Sequence, residues 1–366
     1  MFLSNTFSGA FGLDFGDLSI KLIQLRRPRT IGMDRGFVVH ESRVVPLTPG
    51  LIVNGEIEQP ELVRKKLLQL LGSEGNLFPP LKARYAIVDL PEPKTFLKLI
   101  TIDAPPDTLT NDDIIFQAKK HLPFELEETY LDWEIVRPAS DTAMSRVLIG
   151  ATPKIIADTY TYLLESANIN PLALEIEGVS IARALITRGK VYSGEARLLL
   201  DMGATRSSLI VYDHNTIQFS TTIPFSGELI TTALMQQLKM DYSSAEKLKI
   251  KNGLTHDKER PKYLKTISEV TDILVTNIKK TLDFYKEHFL DTNPVTHITM
   301  CGGLATLINL DKVLAAKLKI SAWPGNAWKN ISLSPVNEAQ KMQGLILTTP
   351  IGLALRAAEN PLAHIL

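Results

Sequence analysis

Two segments half a chain apart follow the same pattern. Phe11-Gly12-Leu13-Asp14-Phe15-Gly16-Asp17-Leu18-Ser19-Ile20-Lys21-Leu22-Ile23-Gln24-Leu25 reads as an apolar strand, a glycine turn and a second strand. Leu198-Leu199-Leu200-Asp201-Met202-Gly203-Ala204-Thr205-Arg206-Ser207-Ser208-Leu209-Ile210-Val211-Tyr212 repeats it: an apolar strand ending in Asp-x-Gly, a turn with a hydroxyl residue, then another strand. One Asp-x-Gly turn is ordinary in hairpins. Two of them on matched hairpins imply two similar half-domains that face each other. Backbone N–H groups in such turns form anion-binding concavities. Asp14 and Asp201 then hold a hydrated Mg²⁺ between them, since this ion takes oxygen ligands and keeps its waters. The two turns read as a clamp for a phosphate chain.

Composition narrows the class. At 366 residues the chain exceeds one ordinary core, so two or more domains are expected. Forty acidic and forty basic residues cancel, which gives no support for a nucleic-acid surface. The single cysteine, Cys301, excludes a disulfide framework, fits a reducing compartment and reads as a small buried hydrophobe. The seven histidines show no metal-ligand spacing. Met1 to Phe7 lacks the start of a signal peptide, and the longest uncharged apolar stretch, Leu345 to Leu355, contains Pro350 and is too short to span a bilayer. A cytoplasmic protein with partners at a membrane is expected.

In chain order, Gly36 to Pro46 reads as a strand, Pro60 to Leu71 as a helix, Gly72 to Pro80 as a linker and Ala83 to Leu90 as a buried strand ended by Pro91 and Pro93. Thr95 to Ile102 is a strand, and Asn111 to His121 a helix with Asn111 as its N-cap. Leu131 to Val136 and Arg146 to Ala151 are strands, and Pro153 to Ala167 is an amphipathic helix. This unit forms a small α+β insert in the first half-domain. Leu172 to Ile176 is a strand leading into a helix, Gly178 to Ile186. The second half-domain opens near Ala196. It continues with a strand at Ile217 to Thr222, helices at Gly227 to Leu238 and Ser243 to Lys251, and a polar loop at Asn252 to Lys262. A long helix then reaches Phe289, followed by a strand from Thr296 to Cys301 that ends in Gly302-Gly303. A helix follows at Leu310 to Leu318; Trp323 and Trp328 pack a loop, and a short helix after Pro350 covers Gly352 to Ala358.

These segments together resemble the actin-like ATPase superfamily and, within it, the type IV pilus assembly protein PilM family. The resemblance covers nearly the whole chain. Besides the two hairpins and Gly302-Gly303, it rests on Ala118-Lys119-Lys120-His121-Leu122-Pro123-Phe124, Glu175-Ile176-Glu177-Gly178-Val179-Ser180-Ile181-Ala182-Arg183, Ala245-Glu246-Lys247-Leu248-Lys249 and Thr281-Leu282-Asp283-Phe284-Tyr285. The cell-division protein FtsA, which shares the insert, fits less well.

The resemblance implies an α/β protein of actin-like ATPase fold, with two half-domains around a nucleotide cleft. Residues 1–93, completed by about 174–195 and 345–366, would form the first half (subdomain 1A). Residues 94–173 would form an SHS2-type insert (1C), and 196–344 the second half. It implies ATP with Mg²⁺, the metal held through water by Asp14 and Asp201. Gly16, Ser19 and Lys21 lie at the phosphates, and Gly203, Ala204 and Thr205 close from the other half. Gly302 and Gly303 lie beside the adenosine, where a missing side chain permits close approach. Glu246 and Lys249, on one helix face, lie on the ribose and base; Gly227 begins a helix approaching the nucleoside; Glu177 orients the attacking water for a slow hydrolysis. Asp17 departs from the small residue usual in the first turn, and its carboxylate is expected to repel phosphate by roughly 1–4 kcal/mol. The implied partner is the cytoplasmic N-terminal peptide of the inner-membrane protein PilN, bound between insert and first half, with other inner-membrane pilus components and self-association besides. The protein would be peripheral to the inner membrane through that partner. The rival readings are a sugar-kinase-like phosphotransferase of the same fold, for which only Glu177 offers a base, and an FtsA-like or type II secretion scaffold.

Overall fold

The structure, a computed structural model, describes residues 7, 9–27, 36–136, 144–255, 260–331 and 337–362. Residues 1–6 and, within the polar loop expected at Asn252 to Lys262, residues 256–259 lie outside this set.

The strands are β1 (Phe11–Gly16), β2 (Ser19–Arg26), β3 (Val38–Pro46), the miniature hairpin β4 (Ile52–Val53) and β5 (Glu56–Ile57), β6 (Tyr85–Leu90), β7 (Phe96–Ile102), β8 (Thr129–Val136), β9 (Ser145–Pro153) and β10 (Asn170–Ile176). In the second half follow β11 (Ala196–Met202), β12 (Ser207–Asp213), β13 (Thr216–Ile223), β14 (Val295–Cys301) and β15 (Ser321–Pro324). One sheet runs β10-β6-β1-β2-β3; the other runs β15-β14-β11-β12-β13-β7-β9-β8. The repeat seen in the two hairpins extends to whole sheets. In each half an antiparallel three-strand meander, β1-β2-β3 or β11-β12-β13, is flanked by two strands parallel to its first member. The insert strands β7, β9 and β8 extend the second sheet through a bridge between Phe219 and Lys98.

Burial follows from the apolar strands. Leu198, Leu199 and Leu200 are all fully buried, as are Leu13, Ile20, Leu22 and Ile23, because each meander is covered on both faces. One apolar cluster mixes both halves, joining Ile23, Val179 and Ile351 with Leu199 and Ile210. The halves therefore meet through a dry layer as well as through the polar turns.

Local chemistry moves several expected boundaries. The helix Asn111–Lys119 is capped by Thr110, not Asn111. Thr110 accepts from the Asp113 N–H while Asp113 returns a bond to the Thr110 N–H, and this reciprocal pair satisfies two donors that Asn111 would leave open. The last helix spans Thr348–Glu359, so Pro350 lies in its first turn, where a missing N–H breaks no intrahelical bond. The sequence reading also missed β4, β5 and β15, and the helix Glu338–Ile346, capped by Asn337 and Gln340. Trp323 and Trp328 do not pack one loop. Trp323 sits on β15 against His297, whereas the Trp328 indole donates to the Gln340 carbonyl at 2.6 Å.

The helix Thr348–Glu359 is clasped between β1 and the helix Glu177–Leu185. A Cβ on Gly12 would meet the Ala354 nitrogen and Pro350 oxygen at 2.5 Å, and one on Gly352 would collide with the Ser180 carbonyl. Backbone atoms cannot give way as a side-chain tip can. Gly352→Ala is therefore expected to lower stability by about 1–3 kcal/mol or more in urea denaturation. Gly303→Ala, whose added methyl meets nothing within 4 Å, is expected to change it little.

Candidate functional site

The two hairpin turns touch. β1 and β2 pair up to Gly16 and Ser19, leaving Asp17-Leu18 as a two-residue turn; β11 and β12 pair up to Met202 and Ser207, leaving Gly203 to Arg206. Asp17 is buried between them. One carboxylate oxygen accepts from the Asn54 N–H at 3.1 Å and the Thr205 hydroxyl at 2.8 Å. The other accepts from the Gly55 N–H at 3.1 Å and the Arg206 guanidinium at 2.6 Å. The repulsion expected of Asp17 presumed a bare carboxylate. Here four donors, one of them cationic, surround it, so its charge is compensated and ties one half to the other. The Thr205 hydroxyl, expected at the phosphates, is directed to Asp17.

Beneath this bridge lie further carboxylates. Asp14 is buried and pairs with the Lys21 ammonium at 2.7 Å, because the antiparallel register sets Asp14 opposite Lys21. Asp89, near the end of β6, and Glu177, the first residue of its helix, complete a trio with Asp14. One carboxylate oxygen from each lies within 4.8 Å of the others. One Asp89 oxygen accepts the Phe15 N–H at 2.9 Å; its other oxygen is buried without a hydrogen bond. Burial, with Asp14 adding to it, pushes the Asp89 carboxyl up to about 8. Burial and the Asp201 charge raise Glu177 well above the usual carboxylate range, and burial raises Asp201. Burial opposes charge on Lys21, but Asp14 and then Asp89 and Glu177 outweigh it and hold the ammonium charged. Arg206 is likewise held charged by Glu177 and Asp17 against its burial. Buried carboxylates with raised proton affinity and an orphaned oxygen fit a divalent cation, which hard oxygen ligands prefer. The sequence reading missed Asp89; its signal was an acid inside the apolar run Ala86 to Leu90.

Asp201, whose charge acts on Glu177 of this trio, accepts a weak bond from the Cys301 thiol at 3.4 Å. Gly302 passes beside it with φ of +81°; a Cβ there would lie 2.6 Å from an Asp201 oxygen, so only glycine fits. Gly303 opens onto free space. Gly227 is drawn to the second turn: its N–H and that of Glu228 donate to the Gly203 and Ala204 carbonyls at 3.1 and 2.8 Å. Glu246 and Lys249 join the same group. The Lys249 ammonium contacts the Glu246 carboxylate at 2.7 Å, the Gly227 carbonyl at 3.0 Å and the Thr231 hydroxyl at 2.9 Å. The structure thus gathers the expected residues into three neighbouring groups: Asp14 with Gly16, Ser19, Lys21 and Glu177; Asp201 with Gly302 and Gly303; and Gly203, Ala204 and Gly227 with Glu246 and Lys249.

A second concavity, of about 640 Å³, opens on the other side of β10. Leu131 and Trp133 of β8, Gly150 of β9, Thr161 of the helix Lys154–Ser166 and Leu174 of β10 line it.

The paired meanders, each flanked by two strands parallel to its first member, define an actin-like ATPase fold. Among solved structures, the ethanolamine utilization protein EutJ of Carboxydothermus hydrogenoformans matches with 15% identity over 94% of this chain and 89% of that one, TM-score 0.51. MreB5 of Spiroplasma citri bound to ADP matches with 11% identity over 94% and 95%, TM-score 0.50. Within that class the chain belongs to the type IV pilus assembly protein PilM family, whose model matches residues 12–358. The solved PilM–PilN type IV pilus biogenesis complex matches with a TM-score of 0.78 and 21% identity, over 96% of this chain and 99% of that one. The cell division protein FtsA of Buchnera aphidicola is 29% identical over 90 residues, a match spanning 25% of this chain and 21% of that protein. Among the described residues, no helix is long and apolar enough to cross a membrane.

Two outcomes follow from the charges. Breaking the bridge by Arg206→Gln leaves Asp17 buried without its cation. This should cost roughly 3 kcal/mol in denaturant melts, and clearly less in an Asp17→Asn background. Burial also pushes Glu92, beside Gly178, up to about 7 against an ordinary value of 4.5. A raised acid confers stability that is complete below about pH 4.5 and lost as pH rises through about 7. Unfolding free energy should fall across that window by on the order of 3 kcal/mol, and Glu92→Gln should flatten the slope.

Proposed function

We propose that the protein is a nucleotide-binding scaffold of the type IV pilus machine, in which Mg²⁺-ATP bridges the two half-domains and a partner peptide occupies the second concavity. One observation carries the nucleotide reading: two matched hairpin turns meet above a buried carboxylate group with an orphaned oxygen on Asp89. Gly16, Ser19 and Lys21 would face the phosphates from one side, and Gly203, Ala204 and Thr205 from the other. Asp14, Asp89 and Glu177 would hold the cation, with Asp201 completing its water shell from the second half. Magnesium, when bound, neutralises phosphate charge and aligns the phosphate chain. Gly302 and Gly303 would leave room for the adenosine, and Glu246, Lys249 and Gly227 would line its far wall. Glu177 would orient water for a slow hydrolysis; its raised proton affinity favours the protonated carboxyl, which cannot accept a proton, and a bound cation would favour the carboxylate.

The peptide reading rests on the groove walls. β8 ends one sheet and β10 ends the other, so each borders the groove with an edge that lacks a sheet neighbour. An extended segment can add to such an edge, with backbone bonds giving affinity and side-chain pockets giving selection. The family and the fold of the PilM–PilN complex support PilN's cytoplasmic N-terminal peptide as the occupant. Cleft and groove share β10: Ile176 lines the groove, and Glu177, the next residue, belongs to the carboxylate trio. Nucleotide would therefore bias the groove by its differential affinity for the closed state.

Calorimetry with Mg²⁺ should show ATP binding to the wild type that is lost in Asp14→Ala and Asp201→Ala. Thr161→Trp, which fills the groove, should weaken capture of a PilN-type peptide by about tenfold or more while ATP binding persists. A wild type that binds neither ATP nor the peptide would overturn the reading.

A further inference from the structure

Beyond the cleft and the peptide groove, a third concavity of about 1130 Å³ lies where the ends of β2 and β3 meet the segment entering β6. Its charged lining is one-sided. Arg26 and Arg27 close β2, His40 projects from β3, and Lys82 leads into β6; all four are exposed. The one carboxylate of the lining, Glu41, is engaged by Arg43, which is itself buried and bonded to the Leu70 and Pro79 carbonyls. Arg27 rests on the Phe37 ring, 5.3 Å from its centroid, so its guanidinium is partly ordered in advance. Arg26, Arg27 and Lys82 have no ion pair among the described residues. Arg84, two residues beyond Lys82 and also exposed, has none either. Three to four uncompensated cations in one place are notable in a chain whose charges sum to zero.

The position of this patch suggests its partner. The same helix end separates it from the peptide groove: Arg356 and Leu362 line the groove, and Ala357 and Ala358 line the basic concavity. On the reading given above, a membrane-anchored peptide fills the groove, and this inference rests on that reading. A basic patch next to the tether is then held against the lipid surface. We propose that the Arg26–Arg27–Lys82 face binds the anionic headgroups of the membrane and sets the orientation of the protein beneath it. Phosphate diesters match guanidinium forks, and ammonium groups supply point charges. Each basic side chain at an anionic surface strengthens binding about fivefold, so three give a salt-sensitive contact that is modest by itself. Tethering through the peptide would raise its effective concentration and make it persistent.

The test is flotation of the full chain with vesicles of phosphatidylcholine alone or mixed with phosphatidylglycerol, without peptide or nucleotide. The anionic vesicles should capture the protein at low salt, and the neutral ones should not. The triple variant Arg26→Glu, Arg27→Glu, Lys82→Glu should lose on the order of 100-fold in apparent affinity. The control Lys265→Glu, Lys279→Glu, Lys280→Glu, on the helix Pro261–His288, should lose little. Thermal melts of both variants report that they fold. No capture by anionic vesicles, equal capture of the triple variant, or capture by a short DNA duplex as strong as by vesicles would overturn the inference. Peptide affinity of the wild type in solution, set beside its own capture by the anionic vesicles, separates the two readings. Retained peptide binding without vesicle capture refutes the lipid contact alone, and vesicle capture without peptide binding refutes the peptide groove alone.

Discussion

The Asp17 carboxylate ties the first hairpin turn to the second and to the β4–β5 turn. It accepts from Thr205 and Arg206 across the cleft and from Asn54 and Gly55 on its own side. The Gly55 carbonyl in turn accepts the Tyr160 hydroxyl at 2.9 Å, and Tyr160 lies on the helix whose Ala157, Asp158 and Thr161 wall the 640 Å³ concavity. A contiguous set of hydrogen bonds thus runs from the second hairpin turn to the wall of that concavity. A triphosphate placed between the turns would compete with Asp17 for Arg206 and Thr205. That gives a physical route for a cleft ligand to be felt at the groove, provided the bridge has two arrangements.

The carboxylates near the two turns are buried among apolar strands. Among the described residues, Asp14, Asp17, Asp89, Glu177 and Asp201 share the region with two cations, Lys21 and Arg206. Without a metal, the excess is relieved by protons, which is what the raised affinities of Asp89 and Glu177 express. Such an arrangement costs folding free energy, and the fully buried meanders on either side offset it. Burying a leucine or isoleucine contributes roughly 1.5–3 kcal/mol, and each meander buries several. A divalent cation would convert the cost into binding affinity.

Much of this was legible in the residues because hairpins are local. Alternating and continuous apolar runs, interrupted by Asp-x-Gly, display both meanders, and the duplication of the turns announces the duplication of the sheets. Contacts made over long separations were not legible. Asp17 read as a free carboxylate because its partners lie 37 to 189 positions away. Asp89 was missed because nothing local shows that β6 runs parallel to β1 beside Asp14. Thr110 lost to Asn111 as the cap because only the return bond from Asp113 distinguishes two adjacent polar residues. The helix Glu338–Ile346 escaped notice because it buries only Gly344 and Leu345, which leaves little periodic signal.

The central claim is that the two turns form one phosphate site spanning both halves. A crystal structure of the protein with Mg²⁺ and a non-hydrolysable ATP analogue tests it most directly. The account predicts the triphosphate between the Asp17-Leu18 and Gly203–Arg206 turns, the cation on the Asp14, Asp89 and Glu177 side, and Arg206 or Thr205 displaced from Asp17 toward a phosphate. A nucleotide bound elsewhere, or a cleft that stays empty under saturating ligand with the Asp17 bridge intact, would contradict it.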